Sequence, residues 1–196
     1  MTLALDQPTK PHVKRWTKRE YHRLVDRCAF RGERVILFRG ELIEMPPMGA
    51  LHAHGIANIN DWLHQIVGAE YRVRIQSPLE TPGESVPEPD GAVVTHEQMS
   101  RRPHPNAAVL VIEISDSSLE LDREMAFEYA AAGVPDYWIV DMQNRAVEVF
   151  RDPIADSSAP LGFRYQSREV FTENQSISPL IAPNALVSIA RLVAMA

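Results

Sequence analysis

Lysine is nearly absent. Lys10, Lys14 and Lys18 are the only three, all within the first 18 residues, and the other 17 basic residues are arginine. Chemistry that needs a lysine amine must find it there. Cysteine is rarer still: with Cys28 alone no internal disulfide can form, so the fold must rest on its core, as suits a reducing compartment. No apolar run approaches the roughly 20 residues that span a bilayer, and the start MTLALDQPTK lacks a basic stretch followed by an apolar one. A cytoplasmic protein with no membrane contact is expected. Excess positive charge is missing too. A net charge of −6 and a pI near 5.6 argue against a protein that coats nucleic acid, because backbone affinity comes largely from Lys and Arg neutralising phosphates. Internal repeats and low-complexity tracts are absent.

What is present suffices for one sizeable core: 196 residues, 45% of them hydrophobic. The expected organisation is a flexible arm over 1–14 and a single domain over 15–196. Thr17 with Glu20 is a capping-box pattern opening a helix to about Arg27. Arg34 to Phe38 and Glu41 to Met45 flank Arg39-Gly40 and predict a β-hairpin, stopped by Pro46 and Pro47. Ile56, Ile59, Leu63 and Ile66 recur at helical spacing within a helix from Ala50 to about Val67. Tyr71 to Gln76 alternates as a strand. The segment 77–89 holds four of the 15 prolines and reads as a loop delivering the chain to Asp90, followed by a short strand, Gly91 to Thr95.

AAVLVIEIS, from Ala107 to Ser115, is nearly all apolar, as in a central strand covered on both faces. Ser117 with Glu120 gives a second capping-box pattern for a helix to about Ala132, with Gly133 as its C-cap. DYWIVD follows as another buried strand, with Ala146 to Arg151 as hairpin partner. Strand, helix, strand in that order predicts a crossover between parallel strands, hence an α/β (α+β) mixed sheet flanked by helices. Residues 154–196 read as short strands and turns finishing the sheet.

One residue stands out in the central strand. A buried charge is costly unless paired or bound to metal, so Glu113 among Val, Ile and Leu needs a reason. Asp90, at the entry to the preceding strand, is the candidate partner. Two carboxylates, a backbone carbonyl (Ile114 is nearest) and several waters suit octahedral Mg2+ or Mn2+, whereas zinc would want Cys or more His. The alternative is a Glu113 salt-bridged to an arginine and an Asp90 that is only a turn residue.

The strings PEPDGAVV, VLVIEISDSSLELDRE and YAAAGVPDYWIVD, in that order, resemble the Uma-two family of restriction-endonuclease-like proteins, a bacterial branch of the PD-(D/E)XK nuclease superfamily. GELIEMPPMGALHAH is similar to the family's strand, Pro-Pro turn and His leading into a helix, and YRVRIQSPL to its glutamine-bearing strand. The resemblance covers nearly the whole chain. It implies a restriction-endonuclease-like core and a metal-dependent endonuclease hydrolysing DNA phosphodiester bonds, with Asp90 and Glu113 as metal ligands. The superfamily's lysine would fall at Ser115, on the same strand face as Glu113. In this family it has moved to the following helix, at the position of Met125. Methionine can neither activate water nor steady phosphate charge, so a catalytically degenerate nucleic-acid-binding or homodimeric protein is the competing expectation. Leu121, Met125, Tyr129 and Ala132 form one apolar stripe, which points Met125 inward and Arg123 away from it.

Among supporting residues, His52 is site-facing by the family pattern, while His54, two positions on, faces another way. Glu44 is either a further acid near the metal or a solvated strand carboxylate. Gln76 either orients water or a phosphate oxygen or satisfies strand-end backbone. Tyr137 and Trp138 read as core. The pair Arg101-Arg102 with His104, and the basic run KPHVKRWTKR, are the places where phosphate backbone could be touched. Nucleic acid, DNA foremost, and a second copy of the chain are the expected partners.

Overall fold

The computed structural model describes residues 11–99 and 104–195. The chain starts with α1 (Lys18–Asp26), where Thr17 and Glu20 form the expected reciprocal cap: Glu20 N donates to Thr17 Oγ1 at 3.2 Å and Thr17 N to Glu20 Oε2 at 2.9 Å. β1 (Arg34–Phe38) and β2 (Glu41–Met45) pair antiparallel about Arg39 and Gly40, at φ 48° and 77°. Two successive residues in the left-handed region make the turn whose twist suits a tight hairpin. α2 (Ala50–Ile66), β3 (Tyr71–Ile75), β4 (Gly91–Thr95), the short α3 (His96–Met99), β5 (Leu110–Ser115), α4 (Leu119–Ala131), β6 (Asp136–Asp141) and β7 (Ala146–Ala155) follow. β8 (Phe163–Thr172), β9 (Ser176–Ile177), β10 (Val187–Ser188) and α5 (Ile189–Leu192) complete the order.

Six strands form one mixed sheet, in the order β3-β4-β5-β6-β7-β8. Only β5 and β6 run parallel, joined through α4 as the strand-helix-strand pattern predicts; the other neighbours are antiparallel. The α/β expectation therefore holds. No described helix is long and apolar enough to cross a membrane.

Alternation sorts β5 and β6 between two apolar layers. Ile112, Ile114, Trp138 and Val140 pack with Ile59, Trp62 and Leu63 of α2, where Trp62 and Trp138 stack at 5.5 Å. Val111, Tyr137 and Ile139 pack with Met125, Ala126 and Tyr129 of α4, and Ile36 of the hairpin joins that layer. α2 lies very close to the sheet: a Cβ on Gly55 would stand 2.5 Å from Ile114 Cγ2, and one on Gly91 2.9 Å from Ile59 Cδ1. Both glycines are needed for this approach, which sets the first turn of α2 against the end of β4.

Two expectations are corrected. The cap of α4 is Ser118, not Ser117, and no side-chain capping bond forms; the Ser118 hydroxyl donates instead to Asp122 Oδ2 at 2.7 Å. A local carboxylate in the first turn outcompetes the backbone for that hydroxyl. At the other end Gly133, at φ 70°, closes the helix as predicted. The C-terminal segment is also more regular than expected, since β7 continues to Ala155 and pairs with a ten-residue β8. Pro153 suggests a strand end, yet β6 stops pairing with β7 at Arg151, and proline is tolerated where a strand has lost one neighbour. β9 and β10 form a separate two-stranded sheet.

Candidate functional site

The register of β4 against β5 pairs Gly91 with Ile112 and Ala92 with Val111. One step further sets Asp90 across from Glu113. Asp90 shares its parity with Ala92 and Val94, Glu113 with Val111, so both belong to the α4 side of the sheet. Their contacts are direct. Asp90 N donates to Glu113 Oε2 at 3.1 Å and Ile114 N to Asp90 Oδ2 at 2.9 Å. Because N–H and C=O of a strand residue face the same edge, the Ile114 carbonyl also faces the Asp90 side.

Both carboxylates are buried, at 4% and 8% exposure, and each is held by a side chain from another element. His52, in the first turn of α2, meets Asp90 Oδ1 through Nε2 at 3.0 Å, and Gln76 Nε2 donates to the same oxygen at 3.4 Å. Gln76 adopts φ 43° at the end of β3, a left-handed conformation uncommon for a non-glycine residue. The Tyr129 hydroxyl, from α4, donates to Glu113 Oε1 at 2.6 Å. Side chains from α2, the end of β3 and α4, three elements in all, thus converge on two acids.

A third acid lies beside them. Asp122 is buried in the first turn of α4, accepts from Ser118, and is also hydrogen-bonded by Ser115. A cavity of about 30 Å3, room for an ion or a water molecule or two, is lined by Asp90, Glu113, Asp122, Glu88, His52, Arg34 and Met125 among others. The sequence reading missed Asp122 because an acid in the first turn of a helix is ordinary, serving the helix dipole. Its one distinguishing mark was the position after Leu121 on the inward stripe.

Compensation by arginine separates these acids from three of the other four buried carboxylates among the described residues; the fourth, Asp141, accepts instead from Asn144 N at 2.9 Å and Asn144 Nδ2 at 2.8 Å. Asp136 is held by Arg151 at 2.8 Å, Glu148 by Arg123 at 2.6 Å and Arg168 at 2.9 Å, and Glu128 by Arg39 at 2.9 Å. Among the described residues no lysine or arginine pairs with Asp90, Glu113 or Asp122; His52 alone does, with Asp90. The alternative of an arginine-bridged Glu113 finds no such arginine among the described residues. Burial, and then the charges of Asp90 and Asp122, push Glu113 well above the usual carboxylate range. Burial likewise raises Asp122 to about 6. The hydrogen bond to Asp90 raises His52. Concentrated, unpaired negative charge of this kind is what a bound cation relieves.

The donor set fits a hard, hydrated ion. Among the described residues no three His, Cys, Asp or Glu side chains form a ready-made cage for a metal ion of any kind. Mg2+ keeps several waters and needs only one or two carboxylates; Asp90 Oδ2 and both oxygens of Glu113 each accept one of the bonds given above and keep a second lone pair, whereas Asp90 Oδ1 already meets both His52 and Gln76.

The remaining expected site residues divide. His52, Gln76, Ser115 and Met125 are all at or next to the acids; Met125 is 3% exposed, packs in the α4 layer and lines the cavity. Glu44 is not brought to them. It is exposed on β2 and lines a separate groove with Gln76, Pro46 and Pro47, because the outer face of the hairpin points to solvent. Arg123 is spent on Glu148 and Glu120, as its position on the helix predicts. Tyr137 and Trp138 are fully buried core. Arg101, Arg102 and Lys10 lie outside the described residues; Lys14 pairs with Glu20 at 2.7 Å and Arg15 with Glu41 at 2.5 Å.

A mixed sheet that brings two buried carboxylates together across neighbouring strands, flanked by helices on both faces, is the architecture of a restriction-endonuclease-like nuclease. The chain belongs to the Uma2 family, whose description is "Putative restriction endonuclease" and whose pattern matches residues 19–190. The fold is similar to a crystal structure from Anabaena variabilis described as a putative nuclease of the DUF820 group, with TM-score 0.69, 19% identity, and coverage of 90% of this chain and 97% of that one. A type IIG restriction endonuclease, BpuSI, matches more loosely, with TM-score 0.38 and 16% identity over 72% of this chain and 15% of that one. No curated protein matches the chain.

Proposed function

We propose that the protein is a metal-dependent endonuclease that hydrolyses DNA phosphodiester bonds, with Asp90 and Glu113 as ligands of Mg2+ or Mn2+ and the Ile114 carbonyl as a third donor. The observation that carries this reading is the cross-strand pair of buried acids without lysine or arginine compensation. A bound divalent ion supplies charge neutralisation at the scissile phosphate and a more acidic water. The chain's own residues supply the frame. His52 and Gln76 fix the orientation of Asp90, Tyr129 that of Glu113, and Asp122 adds negative potential that favours cation entry. Incubation of the purified protein with plasmid and Mg2+ or Mn2+ tests it. Cutting by the parent that vanishes in both Asp90→Ala and Glu113→Ala is expected; equal cutting by all three proteins ends the proposal.

One observation favours a second reading, that of a nuclease fold without turnover. Met125 occupies the place the family resemblance assigns to a lysine, and it is buried against the acid cavity. Met125→Lys decides between them: an inactive parent that begins to nick DNA supports the second reading, and a robustly active parent removes it. A homodimer, paired along the outer strand β8, belongs to the same proposal. Light scattering that returns the mass of one chain at high concentration would discard it.

A further inference from the structure

We propose that Arg34 is the phosphate-positioning residue of this site, taking from the β1 hairpin the place of the cation that α4 does not provide. The inference rests on the nuclease reading and names a residue outside the family pattern.

Position is the first ground. Arg34 is the first residue of β1 and lines the acid cavity together with Asp90, Glu113, Asp122 and Met125. It also borders the groove of Gly49, His52, Asp116 and Ser118, and the groove that holds Glu44 and Gln76. A strand of nucleic acid approaching the acids from either groove passes its guanidinium. Apart from His52 it is the only cationic side chain lining the cavity among the described residues, and its charge opposes protonation of His52.

The second ground is how loosely it is held. Its contacts are both to Glu88: Nε stands 3.5 Å from the carboxylate and Nη2 3.4 Å from the backbone carbonyl. Good N–H···O bonds fall at roughly 2.7 to 3.2 Å, and charge-assisted ones are shorter. The arginines that serve the fold meet that standard: Arg39, Arg123 and Arg151 each hold a buried acid at 2.6 to 2.9 Å. Arg34 alone combines a place on the acid cavity with a guanidinium that has no well-made bond. Its side chain is one-third exposed, so a second partner can reach it.

The third ground is chemistry. A planar guanidinium presents paired N–H donors that match two oxygens of a phosphodiester, and it keeps its charge at any physiological pH. It can therefore grip and neutralise, but it cannot act as a base. Glu88 would serve as the resting partner from which Arg34 turns when a phosphate enters.

The test measures binding apart from cleavage. A fluorescein-labelled DNA duplex is titrated with parent, Arg34→Gln and Arg34→Lys in EDTA at several salt concentrations, and cleavage is then followed in Mg2+ or Mn2+. Loss of one phosphate contact should make the slope of log K against log salt shallower by about 0.9 and weaken binding about tenfold at low salt for Arg34→Gln. Arg34→Lys keeps the charge and the slope but loses the bidentate grip, so kcat should fall at least tenfold with little change in binding. A parent that cleaves while Arg34→Gln keeps the same slope and rate overturns the assignment and leaves the nuclease reading standing. A parent that neither binds nor cleaves overturns both. Should Arg34→Gln fail to fold, Arg34→Lys alone decides: an unchanged kcat overturns the proposal.

Discussion

Asp90 and Glu113, 23 positions apart in sequence, stand across from each other one step beyond the last paired residues of β4 and β5, and the backbone N–H of the first is bonded to the side chain of the second. The arrangement stores electrostatic repulsion in the folded state, and four predictions follow from where that repulsion sits and what frames it.

Asp122→Asn should stabilise the protein at neutral pH. The folded-state pKa of Asp122 is about 6, above its ordinary value of 3.8. The native state thus binds the proton more tightly than the unfolded chain, and stability declines as pH rises from about 4 to 6. A shift of that size is worth on the order of 2 to 3 kcal/mol at pH 7. Urea unfolding at pH 4.5 and 7.5 should show the substitution raising stability at the higher pH and flattening the difference. An unchanged pH dependence would contradict the assigned burial.

Mg2+ or Mn2+ should raise the melting temperature, and more at pH 8 than at pH 5.5. Glu113 is held above the usual carboxylate range, so at lower pH a proton competes with the ion for the same site. Saturation at about 100 times the dissociation constant corresponds to roughly 2.7 kcal/mol of added stability. Differential scanning calorimetry of parent, Asp90→Asn and Glu113→Gln checks it; an identical upward shift in all three would place the ion elsewhere.

Tyr129→Phe removes the hydroxyl bonded to Glu113 Oε1 at 2.6 Å inside a fully buried contact. Leaving a buried carboxyl oxygen without its donor costs roughly 1 to 3 kcal/mol. The expected result is a lower urea midpoint with an unchanged m-value, and weaker metal binding by calorimetric titration, since Glu113 is then free to turn. Wild-type values for both would show that the ring packing alone orients Glu113.

Gly55→Ala should destabilise the fold and loosen the site together. The added Cβ would meet Ile114 Cγ2 at 2.5 Å, a separation that demands movement of α2 or β5. Overpacking of this kind costs typically 1 to 3 kcal/mol. Because His52 is one turn earlier on α2, its bond to Asp90 should weaken as well, visible as a changed imidazole resonance by NMR. Gly55→Ala combined with Ile114→Ala should recover part of the loss in a double-mutant cycle; strict additivity would separate the glycine from the strand.

Much of the fold is written in local pattern. The capping box at Thr17 and Glu20, the Arg39-Gly40 turn, the helical spacing after Ala50 and the two apolar runs around Glu113 and Trp138 each depend on neighbours within a few residues, so a linear reading recovers them. Glu113 was conspicuous for the same reason, one charge in an apolar strand. Its pairing with Asp90 was anticipated from the loop that ends there and from the family resemblance.

The missed features are those that a linear pattern cannot encode. Asp122 reads as a routine first-turn acid until α4 packs against β5 and turns it toward Glu113. Arg34 reads as one of 17 arginines until the hairpin folds over the cavity and leaves it with only a distant Glu88. Sequence by itself determined most elements as far as the start of β7 and the chemical identity of the two facing acids, because local sterics, caps and hydrophobic periodicity act over a few residues. Tertiary structure alone decided which charges lack partners, because compensation depends on distances between elements that no spacing along the chain fixes.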